Sequence, residues 1–97
     1  MNITLTARKF SASEHLKQHT DNQVRKLEKF FDRIIDCEVI LEESNSVQSP
    51  QSAELIVKVP GSVLHARESA IFYELAITAV VDNMKTQLLK YKSKLRD

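Results

Sequence analysis

Ala53-Glu54-Leu55-Ile56-Val57-Lys58-Val59-Pro60-Gly61 is the stretch that decides the fold. Ala53, Leu55, Val57 and Val59 alternate with Glu54, Ile56 and Lys58. A period of two over this length is a strand with one buried face. Pro60-Gly61 then makes a tight turn, with glycine where a positive φ is needed. Ser62 to about Arg67 returns as a strand antiparallel to the first. Upstream, residues 44–52 are polar and rich in serine, and read as a mobile loop. Before them, residues 34–43 (Ile-Ile-Asp-Cys-Glu-Val-Ile-Leu-Glu-Glu) read as a strand that buries Cys37, Val39 and Leu41. Three consecutive strands therefore form an antiparallel meander.

The flanks supply the remaining layers. Residues 1–9 alternate, with Ile3, Leu5 and Ala7 on one face, and predict another strand. Ser11-Ala12-Ser13-Glu14 reads as a capping box, with Ser11 as the cap. A helix follows to about Asp32, with Leu16, Thr20, Val24, Leu27, Phe31 and Ile34 in one row and Phe30 at its edge. A second helix is expected from about Ser69 to Leu95, with a stripe of Ile77, Val80, Val81, Met84, Leu88, Tyr91 and Leu95. The fold class is α+β, in the order β-α-β-β-β-α. The first strand joins the sheet edge through the first helix, and both helices pack side by side on one face of a four-stranded sheet. Residues 1–97 form a single domain, since 97 residues suffice for one core and not for two.

Composition narrows the chemistry. One glycine excludes glycine-rich phosphate loops, and one cysteine excludes an internal disulfide and fits a reducing, cytoplasmic setting. No apolar run approaches the length of a membrane span, and no signal peptide is read at the start. His15 and His19 are four apart but lack a third ligand, and read as two exposed polar histidines. Cys37 has no neighbouring base and reads as a small core residue. No cofactor, metal or small-molecule substrate is expected, and no enzymatic activity.

The net charge of +1 hides an asymmetry. Residues 1–33 carry seven basic and four acidic groups, residues 34–84 two and eight, and residues 85–97 five and one. Asn22, Lys26, Lys29 and Arg33 fall on one flank of the first helix; Lys85, Lys92 and Arg96 fall on one flank of the second, with Lys90 and Lys94 in another row. Such rows suit a track of phosphates, where charge at repeated spacing matters more than base-specific groups. They equally suit solvated helix faces. Arg8 and Lys9 end the first strand and read either as an ordinary charged strand end or as an RNA-facing one. Arg67 lies on the less apolar face of its strand and extends the basic surface. Stacking of single-stranded bases on the sheet is disfavoured, because Ile40 and Ile56 stand where aromatics would be needed.

Several stretches bear a resemblance to a known family. They are Met1-Asn2-Ile3-Thr4, Gln23-Val24-Arg25-Lys26-Leu27-Glu28-Lys29, Ile34-Ile35 leading into Val39-Ile40-Leu41, and Gln87-Leu88-Leu89-Lys90-Tyr91-Lys92-Ser93-Lys94-Leu95-Arg96. In this order they resemble the ribosome hibernation promoting factor and ribosome-associated inhibitor family, also called protein Y, from end to end. The length resembles the short form. The resemblance implies a fold like the double-stranded RNA-binding domain and a non-enzymatic protein that binds the small ribosomal subunit through its 16S-type rRNA. It implies a place near the decoding site, where messenger RNA and A- and P-site transfer RNA are blocked and the ribosome is stored inactive. Two places depart from the family pattern. Phe72-Tyr73-Glu74 stands where an acidic-Met-Tyr triplet is usual, and Met84-Lys85-Thr86-Gln87 replaces Leu-Glu-Arg-Gln, so no arginine contact carries over to Thr86. The candidate RNA-binding residues are then Arg8, Lys9, Arg25, Lys26, Lys29, Arg33, Arg67, Lys85, Lys90, Lys92, Lys94 and Arg96. A monomer is expected off the ribosome. The competing expectation is a protein-interaction module whose acidic sheet face, around Glu38, Glu42 and Glu54, meets a basic partner.

Overall fold

The computed structural model describes residues 1–95. Alternation of apolar residues gives β1 (Asn2–Ala7), β2 (Asp36–Glu43), β3 (Gln51–Val59) and β4 (Ser62–Ala70). Two helices complete the order β-α-β-β-β-α: α1 (Glu14–Arg25), continued by a 3-10 turn at Lys26–Lys29, and α2 (Tyr73–Lys94). The sheet runs β1-β2-β3-β4, with β1 parallel to β2 and the other pairs antiparallel. A parallel neighbour needs a long crossover, and α1 supplies it.

Register fixes the two faces. Leu5, Val39, Leu55 and Ala66 stand in one row across all four strands. With Cys37, Leu41, Ala53 and Val57 they form the floor on which both helices lie. α2 covers β3 and β4, and α1 lies beside it towards β1. Val24, Leu27, Ala76, Ile77, Val80, Met84 and Leu88 are fully buried between the layers. Gly61, at φ +80, makes the β3–β4 turn.

Several boundaries differ from expectation: Gln51 and Ser52, expected in the polar loop, belong to β3, where they pair with Glu43 and Glu42, and the larger shifts are at the helices. The cap of α1 is Ser13, not Ser11: its hydroxyl accepts from the Leu16 N–H at 3.1 Å. Phe10 and Ala12 pack against the core, which holds residues 10–12 out of the helix. Glu14 does not reach back to a cap amide but pairs with Lys17 at 3.4 Å. At the other end, α1 tightens into 3-10 geometry instead of continuing to Asp32, with the Phe30 and Phe31 amides both donating to the Leu27 carbonyl. Lastly, β4 runs on to Ala70, paired with Gln51, so α2 begins at Tyr73 rather than near Ser69. Its first amide is capped from another element, Tyr73 N–H donating to Gln51 Oε1 at 2.7 Å.

β4 is an edge strand, and edges invite pairing with other chains. Gln87 covers part of it, its amide donating to the His65 carbonyl at 2.8 Å and to Asn83 Oδ1 at 2.9 Å. Asn83 in turn donates to Glu68 at 2.8 Å. The Tyr91 hydroxyl donates to the Pro60 carbonyl, which fastens the last turns of α2 to the β3–β4 turn.

Candidate nucleic-acid interface

The 3-10 turn after α1 and the middle of α2 enclose a groove of about 500 Å³. Its floor is apolar, from Leu27, Phe30, Leu75, Ala79 and Val81. Lys26, Lys29 and Lys85 line it together, with Asp82 as the one acidic residue. Part of each expected row is thus brought to one site, Lys26 and Lys29 from the first and Lys85 from the second. Lys85 Nζ sits 4.7 Å from the centroid of the Phe30 ring, a cation–π contact, rather than on Asp82 one turn earlier. Lys26 donates to the neutral Gln23 side chain at 3.3 Å, which leaves its charge uncancelled. Neither Lys29 nor Lys85 makes an ion pair among the described residues. Arg33 does not line the groove; its guanidinium lies 5.8 Å from the centroid of the Phe31 ring, which packs edge-on against Tyr91.

Other candidate residues lie elsewhere. Arg25 is turned to the outer flank of α1, bonded to Asp21 at 2.8 Å and to Glu28 at 3.6 Å. The Asp21 hydrogen bond and the two carboxylates raise its pKa still further above the usual arginine value. Lys90 lines a separate shallow groove between α2 and β4, with Glu68, Asn83 and Gln87. Lys92 and Lys94 stand exposed on the last turns of α2. Arg96 lies outside the described residues. Lys9, with φ +65, turns the chain out of β1 and lines a surface hollow with Arg8, Glu42 and Glu43.

Arg8 and Arg67 lie on the open sheet face, away from the helices. Both pair with Glu42, at 3.4 and 3.7 Å. On the same face Glu54 accepts from His65, and Lys58 stands opposite Asp36. On the surface expected to be acidic, Glu42 and Glu54 therefore have basic partners, whereas Glu38 makes no ion pair among the described residues. That lowers the charge excess on which a basic protein partner would depend.

Two further residues behave differently from the sequence reading or were passed over by it. His19 is not a bare surface histidine. It is half-buried, and its Nε2 lies 3.2 Å from the Glu74 carbonyl, which joins α1 to the start of α2. A carbonyl only accepts, so Nε2 carries the proton in this contact. Phe30, placed by periodicity at the rim of the core, is instead the aromatic side of the groove. Cys37 is buried, as expected, with Met1 Sδ at 3.6 Å. Burial, then the Asp36 charge, pushes its thiol up to about 12, so it is no nucleophile at neutral pH. Among the described residues no three histidine, cysteine or carboxylate groups converge, and no helix is long and apolar enough to cross a membrane.

Four strands in the order β1-β2-β3-β4 with both helices on one face define the class: the fold of the ribosomal subunit interface proteins. Two of the solved structures that share it illustrate the likeness. One is a ribosomal subunit interface protein from Coxiella burnetii, with a TM-score of 0.86 at 22% identity, covering 96% of this chain and 99% of that one. The other is the N-terminal domain of Protein Y from Thermus thermophilus, with a TM-score of 0.82 at 23% identity, covering 94% and 99%. Sequence comparison makes the assignment specific. The family model described as "Sigma 54 modulation protein / S30EA ribosomal protein" matches residues 3–96, and the chain belongs to that family. The ribosome hibernation promoting factor of Escherichia coli K12 is 27% identical over 96 residues, spanning 99% of this chain and 98% of the relative. The family is that of ribosome hibernation and ribosome binding, as the resemblance implied.

Proposed function

We propose that this chain binds the small ribosomal subunit near the decoding site and holds the ribosome inactive by occupying the path of messenger RNA and of A- and P-site transfer RNA. Residues 1–97 act as one ribosome-binding domain. The observation that carries this reading is the groove, where Lys26, Lys29 and Lys85 from two helices meet around one site. Charge of one sign held on rigid supports suits an RNA phosphate track, and no base-specific group is required. Arg33 and Lys92 lengthen that track, and Lys90 and Lys94 add a second line of contact. Arg8, Lys9, Arg25 and Arg67 contribute at the margin, since Arg8, Arg25 and Arg67 already hold carboxylates.

The family supplies the biological frame and the charge geometry supplies the mode of contact. A non-enzymatic role follows: the protein acts by occupancy. Co-sedimentation with purified small subunits through sucrose tests it. Retention at low salt that fades as salt is added is expected, because neutralised phosphates release counterions. Failure to pellet at any salt would contradict it.

A further inference from the structure

The groove is more apolar than a phosphate track requires. Phosphates need only the lysines, yet between those lysines lie Phe30, Leu75 and Ala79. Leu75 is 52% exposed, and Phe72, the residue just before α2, is 59% exposed. An exposed apolar surface rimmed by charge marks a binding site. Its volume of about 500 Å³ has room for a base with its sugar and phosphate.

We propose that this groove receives one unpaired nucleotide of the bound RNA, with its base against Phe30, Leu75 and Ala79 and its phosphates on Lys26, Lys29 and Lys85. The inference rests on the ribosomal reading above and adds a pocket to what would otherwise be a diffuse charge footprint. Charge complementarity selects the occupant. The groove offers three cations against the single carboxylate of Asp82, and an aromatic ring that already holds a cation on one face. A nucleotide brings both a flat apolar body and an anion to such a site. Base stacking on protein aromatics tolerates any sequence, since every base has a π-face. Lys85 is held by Phe30 without an ion pair, so it can exchange the ring for a phosphate at little loss.

Thr78 lines the groove, is exposed, and makes one side-chain hydrogen bond, to the Glu74 carbonyl within its own helix. Thr78→Trp fills the groove without altering charge; Thr4→Trp adds the same bulk at an exposed threonine on the open sheet face, outside the groove. Binding of each full chain to purified small subunits is measured from 50 to 300 mM salt, with circular dichroism confirming that each is folded. Thr78→Trp is expected to weaken binding about tenfold at an unchanged salt slope, with Thr4→Trp like the parent. Equal binding by Thr78→Trp and the parent would overturn the proposal and leave a protein segment as the groove's occupant, with the ribosomal reading intact. A parent that binds no subunits at any salt would instead remove that reading, and this inference with it. A titration of the parent with 5′-AMP separates the two sources of a nucleotide. Micromolar saturation, seen as NMR shifts at Thr78 and Ala79, would overturn the RNA assignment in favour of a free nucleotide.

Discussion

Replacing Lys26, Lys29 and Lys85 together by glutamine removes three charges from one groove and leaves its apolar floor in place. Each lysine that neutralises a phosphate contributes roughly 0.7 to 0.9 to the slope of log K against log salt. Three lost contacts lower the slope by about 2 to 2.7. The binding curves of parent and variant then converge near 1 M salt and separate by about two orders of magnitude at 0.1 M. Arg25→Gln is the control, one positive charge on the same helix. Its guanidinium already holds Asp21 at 2.8 Å and Glu28 at 3.6 Å, so it has no charge to spare for a phosphate. Its removal should change the slope by well under the amount that Lys29→Gln does. The assay is filter binding to small subunits at five or six salt concentrations. An unchanged slope in the triple variant, or an Arg25→Gln effect equal to that of Lys29→Gln, would refute the sorting of these residues by geometry.

Other consequences bear on the scaffold. Leu27 is fully buried where α1 tightens into 3-10 geometry, and Leu27→Ala should cost about 3 kcal/mol in urea unfolding, with an unchanged m-value. Gln51→Ala removes the acceptor for the Tyr73 amide and should cost about 1 kcal/mol, read from the urea midpoint. Cys37 should resist iodoacetamide at pH 8 in the folded chain and react at once in denaturant, followed by mass spectrometry. Folding raises the Cys37 thiol pKa from 9.0 to about 12, so its contribution to stability is complete below pH 9 and declines as pH rises towards 12. Urea midpoints across that range report it against a Cys37→Ala variant.

Local patterns carried most of the fold and part of the site. The alternation of Ala53, Leu55, Val57 and Val59 and the turn at Pro60-Gly61 led directly to the hairpin, because side-chain period and turn chemistry are local properties. The start of α2 was not legible. Its cap comes from Gln51, 22 residues earlier, and only the folded register brings that amide oxygen to Tyr73. Ser11 and Ser13 offered similar caps, and the choice between them was made by the packing of Phe10 and Ala12. For the site, helical spacing placed Lys26 and Lys29 on one flank and Lys85 on another, but not the two flanks against each other. The withdrawal of Arg25 onto Asp21 and Glu28 follows i,i+4 and i,i+3 spacing, and that signal was present in the sequence. The binding of Arg8 and Arg67 to one carboxylate, Glu42, was not, since it joins three strands. Phe30 looked like a core-edge residue because periodicity cannot tell the rim of a core from the wall of a groove.

The central claim is that the helix side of the molecule, rather than the open sheet face, is the main surface that meets ribosomal RNA. Cys37 is the sole cysteine and is buried, so a single new surface cysteine can carry a photo-crosslinker. One variant places it on the groove rim (Gln23→Cys), another on the sheet face (Glu38→Cys), and each is irradiated on small subunits at low salt. The account predicts crosslinks to 16S rRNA from Gln23→Cys and few or none from Glu38→Cys. RNA crosslinks from Glu38→Cys with a silent Gln23→Cys would contradict it.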